Sequence, residues 1–266
     1  VREATDPTGS QPQESKPAAL SPVFGIRMIS EDRAINLKDG AELIYIPEGP
    51  FDMGDDDYPN NPRHTVTLSG YWFYRNLVTV AQYRAFVDAN PGRTMPPGPK
   101  FDPNWSLEDC PISSVTWDNA AAYAKWAGSE LPTEAQWEKA ARGTDGRRFP
   151  WGDTFDPSLL WCSTHTYGDV GGTGPVGQRG VSPYGCTDMA GNVWQWCQDS
   201  YDENFWKTPP EKDPVNRASN QFHVLHGGCW DDYLEARFRS ALRLFNLDAY
   251  RSCYLGFRCV LLHGGH

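Results

Sequence analysis

Between Ala41 and Met53, AELIYIPEGPFDM alternates apolar and polar positions on both sides of a Pro-Glu-Gly-Pro break, a spacing that predicts a β-hairpin. HTVTLSGYWFYRNLV, residues 64–78, is rich in β-branched and aromatic residues and predicts a strand. The period then changes. Apolar residues at 80, 83, 86 and 87 within Val80–Asn90 have helical spacing, and Thr79 stands where an N-cap belongs. A second helix is expected over 117–128, stopped by Gly128. A third is expected over 132–143, where Thr133 and Gln136 fit a capping box and Gly143 is the stop. From 144 to 230 the chain turns to Gly/Pro loops and Trp-rich fragments, with a strand expected over 223–230 and no long repeat. A few helices, several short strands and much irregular chain make an α+β fold.

One segment obeys neither period. Arg239–Arg258, RSALRLFNLDAYRSCYLGFR, sets arginines at 239, 243, 251 and 258 among Leu, Phe, Tyr, Asp and Asn in no fixed order. A buried element would show periodicity, and a solvated loop would show more Gly, Pro and Lys.

Composition sharpens this picture. With 25 Gly and 22 Pro the fold should be loop-rich, and 11 Trp supply large apolar bodies to knit it together. A net charge of −10 without a Lys/Arg cluster excludes a nucleic-acid partner. No apolar run is long enough to span a bilayer. Residues 1–24 are rich in Pro, Ser, Gln and Glu, the composition of a flexible tether, ahead of a domain over 25–266. A start at Val1 followed by such a tether suits a secreted or lipid-anchored protein of the cell surface or periplasm, with the membrane reached only through an N-terminal lipid anchor. The seven Cys show neither C-x-x-C nor zinc-ligand spacing, and their odd number leaves at least one thiol unpaired within the chain. His223 and His226 fall on opposite faces of the expected strand, which argues against a shared metal.

Whole phrases carry a resemblance. PRHTV (62–66), SSVTWDNAAAYAKWAG (113–128), LPTEAQWEKAARG (131–143), FPWGDTF (149–155), SPYGCTDMAGNVWQW (182–196), HGGCW (226–230) and LGFR (255–258) occur in one order. From about 40 to 260 the chain resembles the formylglycine-generating-enzyme, or sulfatase-modifying-factor, family. The resemblance implies an elaborated C-type-lectin-like fold with few regular elements and a ligand site near the C-terminus. The family's oxygen-dependent enzymes use two cysteines five residues apart, and here those positions fall near Glu235 and Ser240. Without a thiol there is no sulfur nucleophile and no soft ligand for copper, so that reaction is not expected. The family also resembles a calcium binder around this region. Asn192 keeps its place as a calcium ligand, with backbone carbonyls beside it, while Gln195 replaces the charged Glu and the upstream WCSTHTYGDVGG departs from the family's version. No other cofactor is expected.

The same family includes non-enzymatic binding proteins diversified by retroelements, in which adenines of a C-terminal cassette are replaced at random. Their cassette is similar to GGSW, an Asn-rich run, RSANR, a second run and GFR; this chain has GGCW, RSALR and LGFR over about 226–258. Adenine replacement in an Asn codon never yields Lys, Glu, Gln, Met or Trp. Those five make up roughly one residue in six before position 231, yet only Glu235 occurs from there to the end. The expected variable, ligand-contacting residues are Asp231, Asp232, Tyr233, Arg237, Phe238, Leu242, Leu244, Phe245, Asn246, Asp248, Tyr250, Ser252, Cys253 and Tyr254. Aromatics give rigid contact area and small polar groups give adjustable hydrogen bonds, which suits a protein ligand. Gly227, Gly228, Trp230, Arg239, Arg243, Arg251 and Arg258 are the expected scaffold. Two alternatives stay open: an oxidoreductase of the same family with altered chemistry centred on Cys229 or Cys253, and an envelope scaffold component.

Overall fold

The alternation over 41–53 does give two strands, but they belong to different sheets. A computed structural model describes residues 25–165 and 171–262, so the 1–24 tether, most of the second half of WCSTHTYGDVGG and the last four residues lie outside the described residues. In chain order the elements are β1 (Ile26–Met28), β2 (Arg33–Asn36), β3 (Glu42–Ile46), β4 (Gly49–Met53), β5 (His64–Leu68) and β6 (Tyr71–Tyr74). Three helices follow, α1 (Val80–Asp88), α2 (Trp117–Trp126) and α3 (Glu134–Arg142). The last strands are β7 (Trp194–Ser200), β8 (Phe222–His226), β9 (Leu244–Leu247), β10 (Leu255–Gly256) and β11 (Val260–Leu262). They form a five-stranded sheet in the order β1-β2-β3-β6-β11, a four-stranded sheet β10-β7-β8-β9, and the pair β4-β5.

Strand β3 pairs with β2 and β6, whereas β4 pairs with β5, so no 41–53 hairpin forms. The cause lies at the break. Lys139 of α3 donates to the Pro47 and Gly49 carbonyls at 2.7 and 3.0 Å, turning those groups toward the helix and away from each other's strand. The expected strand over 64–78 is likewise two strands. Asp213 accepts from the Ser69 backbone and hydroxyl, both at 2.7 Å, and pins the bend between β5 and β6.

All three helices begin where their threonines cap them. Thr79, Thr116 and Thr133 each accept from the backbone N–H three residues on, and Gln82, Asn119 and Gln136 reach back to close the capping box. Gly128 and Gly143, at φ of 70° and 71°, take the left-handed turn that ends α2 and α3. Helix α3 is buried on every side, charged residues included. Glu138 answers this by accepting from Gly54 N–H, Asn61 and Arg142 at 2.7–3.1 Å, and Arg142 also donates to the Gly54 carbonyl at 2.6 Å. The helix is therefore a polar spine inside the core. Trp137, Ala140 and Ala141 pack in one cluster with β4, β5 and Trp206, while Tyr83, Phe86, Tyr123 and Phe257 interlock in another.

Candidate binding surface

The last third of the chain leaves the core at Gly227 and returns at β10. Both Gly227 and Gly228 have positive φ, 101° and 76°. A Cβ on Gly228 would lie 2.6 Å from the Phe238 ring, so the bare backbone there is what lets Phe238 pack. From this turn the excursion 231–254 runs over the surface, dips back to form β9 against β8, and closes where Leu255 pairs with Trp194.

Buried arginines hold the excursion down. Arg243 makes two hydrogen bonds to Glu134 of α3, 2.7 and 2.8 Å, and donates to the Asn60 and Asp202 carbonyls. Glu134 also receives Trp206 Nε1 at 3.0 Å and contacts His226 Nε2 at 3.2 Å. Burial works against its ionisation, but Arg243 and then His226 outweigh it and hold the carboxyl down at about 2. Arg258 is fully buried and donates to Gln195 and to four carbonyls, those of residues 74, 75, 187 and 188. Arg239 bonds Asp57 at 2.7 Å from a shallower position. Trp230 donates its backbone N–H to the Asn192 carbonyl and its indole to the Cys253 carbonyl. Arg251 departs from the expected scaffold role. It is exposed and braces no carbonyl among the described residues, while Tyr250 and Ser252 on either side of it line the cavity described next.

The residues between these anchors gather around a cavity of about 240 Å³. Trp194, Leu225, Cys229 and Leu255 form its buried side. The rest comes from the excursion: Asp231, Asp232, Leu244, Phe245, Asn246, Tyr250, Ser252 and Tyr254, eight of the expected variable residues. Tyr233 stands clear at 73% exposed, and Phe245 and Tyr250 are each 45% exposed. Phe245 stacks on Tyr201 with centroids 4.0 Å apart, and Tyr254 leans on Trp230 at 5.4 Å. Burial first, then Cys253 and Asp231, pushes the Tyr254 phenol up to about 12, so it is a neutral donor at ordinary pH. Arg237, Leu242, Asp248 and Cys253 are half-buried nearby without lining the cavity.

Phe238 is the clear correction. It is fully buried and stacks on Phe155 at 5.8 Å in a cluster with Phe149 and Leu160, filling the space above Gly228. Sequence reasoning also passed over Trp194, Leu225 and Leu255, the buried side of the cavity, because a Trp or Leu inside a framework phrase reads as core. Phe222 and Leu247, 40% and 41% exposed on the β8-β9 edge, gave no signal either.

Asn192 does not fit a calcium ion. Its Oδ1 accepts from Gly174 N–H at 3.2 Å, and its amide donates to the Gly174 carbonyl and to Asp188. Gln195 Oε1 is taken by the Trp137 indole and by Arg258, both at 2.7 Å. With both oxygens engaged by donors, a cation would meet N–H groups. Among the described residues no three His, Cys, Asp or Glu converge as a metal group. His223 stacks on Trp117 and His226 on Trp137, on opposite sides of β8.

At the positions expected for the enzyme's cysteine pair, Glu235 is exposed on a short 3-10 turn and Ser240 is buried with an unpartnered hydroxyl. All seven Cys are free thiols. Burial pushes the Cys229 and Cys253 thiols up, away from the reactive thiolate.

Residues 30–262 match the sulfatase-modifying factor enzyme 1-like domain family. The chain belongs to that family. A formylglycine-generating enzyme of Streptomyces coelicolor is 32% identical, covering 82% of this chain and 88% of that protein. An inactive C-alpha-formylglycine-generating enzyme 2 of Bos taurus is 28% identical over 91% of this chain and 96% of that one. The structure of Treponema denticola variable protein 1 superposes with a TM-score of 0.69 at 23% identity, covering 83% of this chain and 94% of that one, a likeness of fold. The sulfatase-modifying-factor family thus contains enzymes and a relative named inactive, and this member shares its mostly stranded, few-helix architecture.

Proposed function

We propose that this family member is a non-enzymatic binding protein that displays a diversified surface on a C-type-lectin-like scaffold. The observation that carries this is the cavity at 231–254, whose outer lining consists of residues that adenine replacement in Asn codons can produce. Trp194, Leu225 and Leu255 beneath them come from the framework. Fixed arginines below and changeable side chains above are what a display surface needs, since exposed positions accept substitution at little cost in stability. The ligand is a protein, met by Tyr233, Phe245 and Tyr250 as rigid contacts. A place on the cell surface or in the periplasm, held by a lipid-anchored tether, gives such a surface something to meet.

A library test addresses this directly. Randomising 231, 233, 245 and 250 together should leave most members folded, with thermal midpoints within a few degrees of the parent. Widespread loss of folding would contradict the proposal. The second reading, an oxidoreductase of altered chemistry, is favoured by the identity to formylglycine-generating enzymes and by the half-buried Cys253 beside the cavity. That reading predicts oxygen consumption with a thiol substrate that Cys253→Ser abolishes.

A further inference from the structure

Two hollows meet at the stretch Tyr250–Ser252. Tyr250 and Ser252 line the display cavity, while Arg251 between them lines a larger one of about 530 Å³. Arg93, on the loop that follows α1, lines this second hollow as well. Arg93 lies over the Phe86 ring at 5.6 Å. Among the described residues neither guanidinium makes a side-chain hydrogen bond or ion pair. Among the described residues no Asp or Glu lines the hollow, although the protein carries a net charge of −10.

The other polar groups there are also donors. Tyr83 is 2% exposed, its ring packed against Phe86, Tyr123 and Phe257. No described residue hydrogen-bonds its hydroxyl. Burial pushes this phenol up to about 12, while Arg93 and Arg251 both pull it down, so both cations bear on the same oxygen. Asn119 uses its Oδ1 to cap α2, accepting from Thr116 N–H at 3.4 Å, which leaves its amide N–H groups to donate. It belongs to the first turn of α2, a helix end that favours negative charge.

We propose that this hollow binds an oxyanion, a phosphate, sulfate or carboxylate group carried on a larger body. Two guanidinium groups, a phenol and a carboxamide line one hollow, and these are the donor types that planar or tetrahedral oxyanions accept. The volume exceeds that of a bare ion, so the anion arrives on something of side-chain or sugar size. The site stands apart from the display reading, because of the cassette residues it uses only Arg251, which the display cavity does not.

Isothermal titration of the full chain tests this with sodium phosphate, sodium sulfate and N-acetyl-aspartate, against sodium chloride at matched ionic strength. Saturable binding of at least one oxyanion, absent with chloride, is expected. R93Q and R251Q should each weaken it by about tenfold or more, as loss of one charge-assisted hydrogen bond implies. Y83F should weaken it several-fold with an unchanged thermal midpoint. Preference for phosphate or sulfate points to an ester ligand, and preference for the aspartate to an acidic side chain of a protein; either supports the site. Heats no larger than those of chloride, or binding that survives in the R93Q/R251Q double variant, would overturn it.

Discussion

Arg243 and Glu134 show how a surface segment is fastened to an interior. Both are buried, and each satisfies the other with two hydrogen bonds before turning to carbonyls and an indole. Such a pair contributes little beyond its own desolvation cost while complete, but losing one partner strands a charge. Glu134→Gln is expected to destabilise the protein by about 3–5 kcal/mol in urea unfolding, far more than any substitution at exposed Tyr233. Asp199 sits against the same group. Burial and the nearby Glu134 raise its carboxyl to about 7 from an unfolded value of 3.8, although it accepts from the Asn216 and Glu134 N–H groups. Its folded form holds a proton that the unfolded form has already lost, so its contribution is full below about pH 4 and disappears as pH rises through 7. Asp199→Asn costs the same hydrogen bond at every pH. The gap between parent and variant should therefore narrow by on the order of 2 kcal/mol from pH 5 to pH 8. A constant gap would place Asp199 in the ordinary ionised state.

At the scale of elements, local chemistry was legible and pairing was not. Each helix carried its own start signal, a Thr with a side-chain amide three residues on, and its end followed from glycine or the exhaustion of the apolar stripe. The 41–53 alternation was real, but partners for β3 and β4 were chosen by Lys139 some ninety residues away, which no window of sequence reveals. Strand β9 escaped notice because LFNL places Phe245 and Leu247 outward and Leu244 and Asn246 half inward, so hydropathy does not alternate although burial does. Phe238 was misread for a related reason: what buries it is the empty side of Gly228, ten residues back. Phe238→Ala should cost about 3–5 kcal/mol, as for other buried Phe truncations, whereas Tyr250→Ala should stay within about 0.5 kcal/mol. Equal losses at the two positions would mean that the excursion is all core or all surface.

For the whole molecule, the framework and the excursion divide the work. The sheets and a buried polar helix hold Arg243, Arg258 and Gln195 through several buried hydrogen bonds each, and the 231–254 stretch borrows that rigidity. Family membership was legible because long phrases such as LPTEAQWEKAARG encode this framework, and so was the absence of a cysteine pair at 235 and 240. The oxyanion hollow was not, since Arg93 and Arg251 meet only through the fold. Diversification by a retroelement leaves its record in nucleotides. The most direct measurement is the sequence of the DNA around this gene. A diversified cassette requires an invariant near-copy of the 226–258 coding region beside a reverse-transcriptase gene, differing from it only at adenines of the copy. Absence of such a copy, or differences spread over other bases, would contradict it.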